Sequence, residues 1–316
     1  MKISIVIPSY NGQKLLSENL PKVIFAMLFA KAEKKIDLEI VIVNDGSSDQ
    51  TRAFMEEFIS SHKEFPITFV DNKKNLGFSP TVNNGVRNAS GDIIILLNTD
   101  VTPEKDFILP LLSYFEDDKT FAVGCMDKSI EGDKTVLRGR GVGVWREGYM
   151  QHSLGSLDKN DTLWVSGGSG AFRKSIWDKL GGLYELYRPY YWEDNDLSYR
   201  ALKSGYKIYF EKKSVVIHRH EDGVIKKTQP SSKVQKIVNR NQNFFTLLNA
   251  TDISIIWGYF LFLPIHILRA IKDGDSYYLI GLFKIIKYIP QLIAYRRRNM
   301  SLFKLTDEEV VRPFTL

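Results

Sequence analysis

Four polar side chains in the first 220 residues stand where chemistry is expected in an α/β protein. Asp45 and Asp100 follow apolar runs that predict strands, Asp194 opens a predicted helix, and His218 ends another predicted strand. Open α/β sheets bind ligands beyond the carboxyl ends of their strands, so these side chains are expected to meet at one edge of the sheet. Carboxylates collected there with one histidine indicate a metal-assisted reaction on a phosphorylated substrate.

Asp100 gives the sharpest indication of a metal. It ends a long apolar run, LLNTD, where an uncompensated carboxylate is costly to bury. A divalent cation removes that cost and bridges to diphosphate oxygens, and Mg²⁺ or Mn²⁺ suits oxygen ligands. Helix capping is the alternative for Asp100, but Thr102 before a proline already supplies that cap. His218 is a candidate metal or phosphate ligand, with a structural histidine as the alternative and His220 as a competitor.

Asp194 is the candidate general base, with Glu193 beside it in the catalytic site. The two acids follow the aromatic segment YRPYYW at 187–192. Aromatic walls beside a carboxylate raise its pKa and stack on a sugar ring, so Tyr191 and Trp192 are predicted to face the sugar or the acceptor. Asp194 is then placed to deprotonate an acceptor hydroxyl. A charged helix N-terminus favoured by the helix dipole is the alternative.

Three loops after predicted strands carry candidate nucleotide contacts. The first, PSYNG at 8–12, combines proline and glycine with a small hydroxyl and allows a close approach of the backbone to a ligand. In DGSSD, Asp45 can accept hydrogen bonds from a ribose or a base, while Asp49 caps the next helix. Asn75 and Gly77 stand just before a helix and can close over a nucleotide. A plain connecting loop is the alternative for the first and third.

The elements that position these residues alternate between strand and helix. Strands are predicted at 3–8, 38–44, 67–72, 92–98 and 121–126, and helices at 14–32, 48–61, 79–89, 193–204 and 230–249. A helix is also expected to begin at Thr102-Pro103-Glu104. The remaining predictions are irregular or antiparallel structure at 127–163, a glycine-rich turn and a helix at 165–182, and short strands at 207–211 and 215–218. This alternation predicts an α/β fold with a mostly parallel central sheet flanked by helices.

Composition limits the alternatives. The 316 residues are 44% hydrophobic, which is enough for a large core. The single cysteine, Cys125, excludes an internal disulfide and lies in an apolar run typical of a buried strand. No signal-peptide pattern follows Met1, so we expect a cytoplasmic location.

The C-terminal segment differs in character from the rest. Between 253 and 304, eight Lys and Arg residues stand against two acids, so this stretch accounts for the whole net charge of +6. A basic chain often binds nucleic acid, but here the basic residues lie among Ile, Leu, Phe, Tyr and Trp, which suits an anionic membrane surface better. We therefore predict a catalytic domain at 1–250 and basic amphipathic helices at 251–316, with no nucleic-acid partner.

Two features favour helices that lie on the membrane over helices that cross it. The segment 253–271 contains Pro264 and His266 and is short for a span, and Lys284 and Lys287 interrupt the following segment, which runs to Tyr295. We expect a peripheral position on the inner face of the cell membrane. Packing on the catalytic domain and a spanning hairpin are the alternatives.

Taken in order, the motifs resemble those of family 2 glycosyltransferases of the GT-A (Rossmann-like) fold. They are PSYN, VNDGSSD, NLGFSPTVNNG, LLNTD, GGSGAF, WEDNDLSYRALKSGYKI and a late histidine, and they cover residues 1–250. The resemblance is closest to bacterial rhamnosyltransferase-like enzymes, which build cell-surface polysaccharide. It implies inverting transfer of a sugar from a nucleotide-diphosphate sugar to a hydroxyl of a glycan or lipid-linked acceptor. Each motif is weak alone, and the ordered set is specific.

The resemblance also implies roles for single residues. The nucleotide sugar would be bound by Pro8, Ser9, Tyr10, Asn11, Asp45, Asn75, Gly77, Asn98 and Thr99. Asp100 would be the last position of the Asp-X-Asp metal motif, whose first position here is Asn98. Asp194 matches the base of the Glu-Asp motif, and His218 would bind the metal or the diphosphate. Gly168 of the glycine-rich turn joins the predicted acceptor or sugar contacts, and from their position on the next helix Arg240 and Asn241 are candidates to face the diphosphate.

Other classes of protein fit less well. A sugar-nucleotide pyrophosphorylase usually carries a glycine-rich loop with Arg or Lys after the first strand, and PSYNG lacks it. An inactive transferase-like scaffold in a polysaccharide assembly complex is disfavoured by the intact Asp45, Asp100 and Asp194. A nucleic-acid-binding module needs basic residues along a groove, and they are not concentrated in the first 250 residues.

Overall fold

A nine-stranded sheet forms the centre of the computed structural model, which describes residues 1–219 and 230–314. Its strands are β1 (Lys2–Ser9), β2 (Asp37–Asn44), β3 (Ile67–Asp71), β4 (Ile93–Leu97), β5 (Val101–Pro103), β6 (Thr120–Glu131), β7 (Lys134–Arg138), β10 (Ser169–Arg173) and β11 (Lys207–Arg219). β8 (Gly141–Arg146) and β9 (Tyr149–Leu154) form a separate antiparallel hairpin.

The order across the sheet is β3-β2-β1-β4-β10-β6-β11-β5, with β7 added beside β6. β1, β2, β3, β4, β6 and β11 run in one direction, and the other three strands oppose them. β4 is the sequence IIILL and is buried throughout, as a parallel strand covered on both faces must be. The predicted mostly parallel central sheet is confirmed.

Helices cover both faces of the sheet. They are α1 (Gln13–Glu33), α2 (Thr51–Ser61), α3 (Phe78–Asn88), α4 (Leu109–Leu112), α5 (Lys174–Leu180), α6 (Glu193–Lys203), α7 (Ser231–Asn249), α8 (Ile253–Lys272), α9 (Ser276–Phe283), α10 (Ile289–Met300) and α11 (Asp307–Val311). One core cluster lies between the sheet and α1, α2 and α4, and a second lies under α3, α5 and α6. Cys125 is buried in the first, as predicted.

A third cluster joins the hairpin, the aromatic segment and α7 to the C-terminal residues as far as Phe314. Residues on both sides of position 250 therefore share one core. The division of the chain at that position stays a prediction.

Helix α6 is held by two ion pairs that have no solvent exposure. Arg200 Nε lies 2.7 Å from Asp196 Oδ2, and Lys203 Nζ lies 2.7 Å from Asp307 Oδ1. Asp307 also accepts hydrogen bonds from the Tyr199 hydroxyl and the backbone amide of Thr251. The C-terminal segment thus fixes the helix whose first turn carries Glu193 and Asp194.

Three predicted elements differ from the structure. The helix start at Thr102-Pro103-Glu104 is wrong, because residues 101–103 pair as β5 with β11. The glycine-rich turn before α5 contains strand β10, whose small residues Gly170 and Ala171 lie between β4 and β6. The short strands at 207–211 and 215–218 are one strand, β11, with a bulge between Glu211 and Val215.

We predict that Asp307→Ala lowers the free energy of unfolding by about 3–5 kcal/mol, because it leaves the Lys203 ammonium buried without its counter-charge. Urea unfolding followed by circular dichroism measures this loss. Glu308→Ala, one residue further along the same helix, is the control, since the Glu308 side chain is exposed and pairs only with an exposed arginine. Equal unfolding midpoints for the two variants would contradict the stabilising role of the buried pair.

Candidate active site

A cavity of about 600 Å³ opens at the carboxyl ends of β1, β2 and β4. β1 pairs with β2 on one side and with β4 on the other. The strands before and after this point are therefore added to the sheet on opposite sides of β1. Ligands of open α/β sheets bind at such switch points.

The structure brings together most of the residues singled out from the sequence. The cavity is lined by Pro8, Ser9, Tyr10, Asp45, Asn75, Gly77, Asn98, Thr99, Asp100, Gly168, Tyr191, Glu193, Asp194 and His218. Asn11, Trp192 and Arg240 do not line it. His220 lies outside the described residues.

Four buried polar atoms on the cavity wall have no hydrogen-bond partner within the described part of the chain. They are Ser9 Oγ, Asn98 Oδ1, Tyr190 OH and Glu193 Oε2. Buried polar atoms are normally hydrogen-bonded, and each one left unpaired has a cost. Each of these atoms is itself shielded from solvent, so the unpaired groups lie behind the surface of the cavity.

Asp45 fixes the loop that forms one wall of the cavity. Its carboxylate accepts the backbone amides of Leu76 and Gly77, both at 2.9 Å, and the side-chain amide of Asn72 at 3.0 Å. Gly77 has a φ of 88°, a backbone conformation that favours glycine. Asp45 therefore positions Asn75 and Gly77, in addition to lining the cavity itself.

Glu193 and Asp194 differ in environment although they are neighbours. Asp194 Oδ2 accepts the Gly167 amide at 3.2 Å and Oδ1 accepts the Asn195 amide at 2.8 Å, so the carboxylate has a defined orientation beside the cavity. Burial, and then the charge of Asp194, raises the pKa of Glu193 well above its usual value. The buried site therefore disfavours the charged form of Glu193, and the Asp194 carboxyl group is the one oriented beside the cavity.

The aromatic loop before α6 is held through its backbone. Tyr191 and Trp192 have φ values of 72° and 77°, which cost free energy in residues with side chains. The Asn241 side-chain amide donates to the carbonyls of Tyr187, Tyr190 and Tyr191, at 2.8, 3.0 and 2.8 Å.

Arg240 and Trp192 belong to this support and do not face the cavity. The guanidinium of Arg240 donates to the Arg188 carbonyl and to Asn241 Oδ1, so it faces the loop, contrary to the diphosphate position expected from the sequence. The ring of Trp192 is buried against Phe245, because the left-handed backbone turns it into the third cluster. Asn11 accepts the Ser48 amide and connects the first two loops.

Asp100 and His218 meet because β5 and β11 pair in antiparallel register, with Val101 opposite His218. His218 Nε2 lies 3.4 Å from Asp100 Oδ2, and Nδ1 lies 3.1 Å from Asp127 Oδ2. Burial lowers the pKa of His218, but hydrogen bonds and charge from Asp100 and Asp127 outweigh it and raise this pKa to about 9. This pocket therefore favours positive charge.

The same pocket suits a divalent cation. Asp100 offers an oxygen and His218 a nitrogen, and Asp127 contacts the other ring nitrogen of His218, as carboxylates that orient a metal-binding imidazole do. No group of three or more His, Cys, Asp or Glu side chains with the arrangement of a complete ligand set occurs in residues 1–219 and 230–314. Mg²⁺ sites commonly use one or two protein ligands and take the others from substrate phosphates and water, so the residues present fit such an ion.

Sequence reasoning missed several residues of the site. Asp127 followed an apolar strand, the same signal that singled out Asp100, but only the pairing of β6 with β11 shows that it reaches His218. Lys233, in the first turn of α7, lines the cavity and carried no local signal. Ser166 and Tyr190 also line it, from loops whose path depends on tertiary contacts.

The sheet order, the position of the cavity and the carboxylates at the strand ends define an α/β fold of the GT-A type. The family model described as Glycosyl transferase family 2 matches residues 4–181, and the chain belongs to this family.

Two curated relatives illustrate the similarity in sequence. The chain is 30% identical over 213 residues to the "Probable glycosyltransferase YdaM" of Bacillus subtilis, an alignment that covers 66% of this chain and 48% of the relative. It is 26% identical over 220 residues to the "Poly-beta-1,6-N-acetyl-D-glucosamine synthase" of Staphylococcus aureus, with the same coverage of 66% and 48%. The chain thus spans about half the length of these relatives.

Solved structures share the fold at lower sequence identity. The structure of GalNAc-T7 with UDP, GalNAc and Mn²⁺ superposes with a TM-score of 0.65 at 17% identity and covers 92% of this chain and 57% of that one. S. aureus TarS residues 1–349 with UDP-GlcNAc gives a TM-score of 0.59 at 15% identity, covering 99% and 91%. The GT-A fold inferred from the sequence is confirmed.

We predict that the free energy of unfolding of the wild type falls between acidic and neutral pH because of Glu193. Glu193→Gln should not show this fall. Because the pKa of Glu193 is raised in the folded state, its stabilising contribution is complete below the unfolded pKa of about 4.3 and declines above it. The melting temperature of the wild type should therefore fall relative to that of Glu193→Gln between acidic and neutral pH. Glu185→Gln, on the nearby exposed turn, is the control, and a constant difference for Glu193→Gln across this range would contradict the buried neutral acid.

Proposed function

We propose that the protein is an inverting glycosyltransferase that moves a sugar from a nucleotide-diphosphate sugar to a hydroxyl of a glycan or lipid-linked acceptor in cell-surface polysaccharide synthesis. The observation that carries this proposal is the cavity at the switch point of the sheet. Its wall combines a carboxylate held in a fixed orientation at Asp194 with a pocket at Asp100 and His218 that favours positive charge.

The nucleotide and the acceptor bind at opposite ends of the cavity. The nucleotide lies along Pro8, Ser9, Tyr10 and the loop that Asp45 holds. The acceptor hydroxyl approaches Asp194, beside Tyr191 and Gly168. Glu193 lines the same end of the cavity beside Asp194.

Transfer is a single displacement at the anomeric carbon. The acceptor oxygen forms its bond to that carbon as the bond from carbon to the diphosphate oxygen breaks. The electron pair of the broken bond leaves with the nucleoside diphosphate, and the hydroxyl proton passes to the Asp194 carboxylate. The configuration inverts because attack and departure occur on opposite faces and no enzyme nucleophile takes part.

Asp100 and His218 would hold a divalent cation, Mg²⁺ or Mn²⁺, and the bound ion would supply positive charge against the leaving diphosphate. Two observations support such an ion: the carboxylate and imidazole are adjacent, and GalNAc-T7 of the same fold was solved with Mn²⁺. The chain's own contribution is to place the two side chains through the pairing of β5 with β11.

The resemblance to rhamnosyltransferase-like enzymes makes a hexose or deoxyhexose the proposed transferred group. The basic C-terminal helices support a cytoplasmic protein bound peripherally to the inner face of the cell membrane. The polysaccharide context draws support from the similarity to the staphylococcal synthase.

Thermal-shift titration with UDP, dTDP, GDP and CMP, each with Mn²⁺ and with EDTA, tests the donor site. A ligand that binds only the folded state raises its stability by about 2.7 kcal/mol at one hundred times its dissociation constant. We expect one nucleotide diphosphate to raise the melting temperature with Mn²⁺ and to lose this effect with EDTA. With Mn²⁺ present, the melting temperature of Asp100→Ala should respond to the nucleotide diphosphate as weakly as that of the wild type does with EDTA. Asp106→Ala, which removes a nearby exposed carboxylate, should behave as wild type.

No shift with any of the nucleotides would favour an inactive scaffold over a transferase. An Asp100→Ala shift as large as that of the wild type would contradict the proposed cation ligand.

We predict that Asp194→Asn lowers transfer by about 10²–10⁴-fold, because general-base catalysis contributes on that order. Binding of the nucleotide diphosphate should stay close to that of the wild type, since the amide keeps the size and most hydrogen bonds of the carboxylate. Single-turnover transfer and the thermal shift measure the two quantities. Asp158→Asn, an exposed position on the same body, is the control, and full activity of Asp194→Asn would exclude Asp194 as the base.

A further inference from the structure

An unusual surface lies on the outer side of helices α8, α9 and α10, which we name the C-terminal apolar surface. Trp257 and Leu261 of α8 are 69% and 68% exposed, and Phe283 at the end of α9 is 74% exposed. The other large apolar side chains exposed on it are Ile253, Phe260, Leu268, Ile271, Ile280, Ile286, Ile289 and Ile293. A contiguous patch of this kind on a protein surface marks an interaction site.

The positions on α8 repeat with helical spacing, so one side of this helix is apolar and exposed while the other side packs on the protein. On the packed side, the Tyr259 hydroxyl donates to Asn243 Oδ1 at 2.8 Å, and Arg269 lies 2.9 Å from Glu147. By length and composition, α8 is also able to cross a membrane, with a mean hydropathy of 1.6 over its most apolar window. To do so it would have to leave these partners, so the structure favours a helix that lies in the interface.

The charge around this surface has one dominant sign. Exposed basic side chains lie on the same stretch of chain as the apolar ones, and they are Lys272, Lys284, Lys287 and Arg297. Basic residues beside apolar side chains complement the headgroups and acyl chains of an anionic bilayer. A second copy of the chain would bring the same positive charges face to face, which disfavours a dimer as the occupant.

The C-terminal apolar surface lies close to the cavity through two connections. Lys233 lines the cavity, and one turn later Lys236 packs over the ring of Tyr277 on α9. Three residues of α-helix rise about 4.5 Å, so α7 contributes to the cavity lining and contacts α9 at positions one turn apart. Gly281 makes this close packing possible, since a Cβ there would lie 3.1 Å from the backbone nitrogen of Arg240.

The second connection is strand β9. The Tyr149 hydroxyl lies 2.9 Å from that of Tyr278 on α9, and the Tyr149 ring packs on Tyr259 of α8. Three residues further along β9, the ring of His152 packs against Trp192, next to Glu193 and Asp194. Tyr149 and His152 are about 10 Å apart along the strand, so β9 contacts both the C-terminal helices and the segment just before α6.

From these contacts we propose that the C-terminal apolar surface binds an anionic bilayer and that the hydroxyl presented to Asp194 belongs to an acceptor carried on a membrane lipid. The inference rests on the proposed transferase function and selects the lipid-linked acceptor over a free glycan. Binding to the bilayer holds the cavity within reach of headgroups, so the acceptor diffuses in the plane of the membrane and enters past α9 and β9.

Vesicle sedimentation tests the docking step. We expect the full chain to pellet with phosphatidylcholine vesicles that contain phosphatidylglycerol and to pellet at least tenfold less with phosphatidylcholine alone. Trp257→Glu combined with Leu261→Glu should abolish pelleting. Phe25→Glu combined with Leu28→Glu is the matched control, because these apolar residues of α1 are 58% and 48% exposed on another helix.

Transfer into lipid tests the acceptor. The nucleotide sugar that stabilises the protein is radiolabelled and supplied with vesicles of a bacterial total lipid extract, and label is counted in the organic phase. We expect label with the wild type and the α1 control, and at least a tenfold loss with the α8 double variant. Equal thermal shifts with the nucleotide for all three proteins establish that the donor site is intact.

The possible failures separate the two proposals. A wild-type protein that binds no nucleotide refutes the transferase function. A protein that binds nucleotide and transfers sugar to water or a soluble glycan, but neither pellets with vesicles nor labels lipid, refutes only the membrane-borne acceptor. Dimerisation through the same surface in sedimentation velocity, with no vesicle binding, also overturns it.

Discussion

The buried ion pairs of α6 are the constraint on which the candidate site depends. Asp196, Arg200 and Lys203 lie in the helix whose first turn carries Glu193 and Asp194; Arg200 pairs with Asp196, Lys203 pairs with Asp307 of α11, and neither pair is exposed to solvent. A buried charge is tolerated only when its partner and its hydrogen bonds are in place, so each pair admits one arrangement of its neighbours. The orientation of the candidate base is thereby tied to the last residues of the described chain, about 110 positions away in sequence.

This dependence gives the C-terminal segment two roles. Through Asp307 it supports the helix of the candidate base, and through α8–α10 it presents an apolar, basic surface beside the cavity. One continuous stretch of chain after α7 performs both roles, and the third hydrophobic cluster joins it to the rest of the protein. Contact of the helices with a membrane would therefore act on elements that already contact α6, α7 and β9.

The sequence was most informative where strands are buried on both faces. β1, β2 and β4 were recognisable as continuous apolar runs, and the polar residues at their ends lie around one cavity, as expected. It was least informative where pairing between distant segments decides the local structure. Thr102-Pro103-Glu104 has the residues of a helix start, but the pairing with β11 makes residues 101–103 a strand, and that pairing sets Asp100 beside His218. Strand β10 escaped recognition because glycine is rare in strands, and its position between β4 and β6 compensates for the weak propensity. The inward turn of Arg240 and Trp192 follows from a loop conformation that no short motif encodes.

The hydrogen bonds from Asn241 to the aromatic loop bear on how the side chains of this site can change during evolution. The side-chain amide of Asn241 donates hydrogen bonds to three backbone carbonyls of the loop at 187–191. The path of the loop is thus independent of which side chains it displays toward the ligand. Residues such as Tyr191 can be exchanged one at a time during evolution without disturbing the helix that follows, so new sugar preferences can arise on an unchanged catalytic frame.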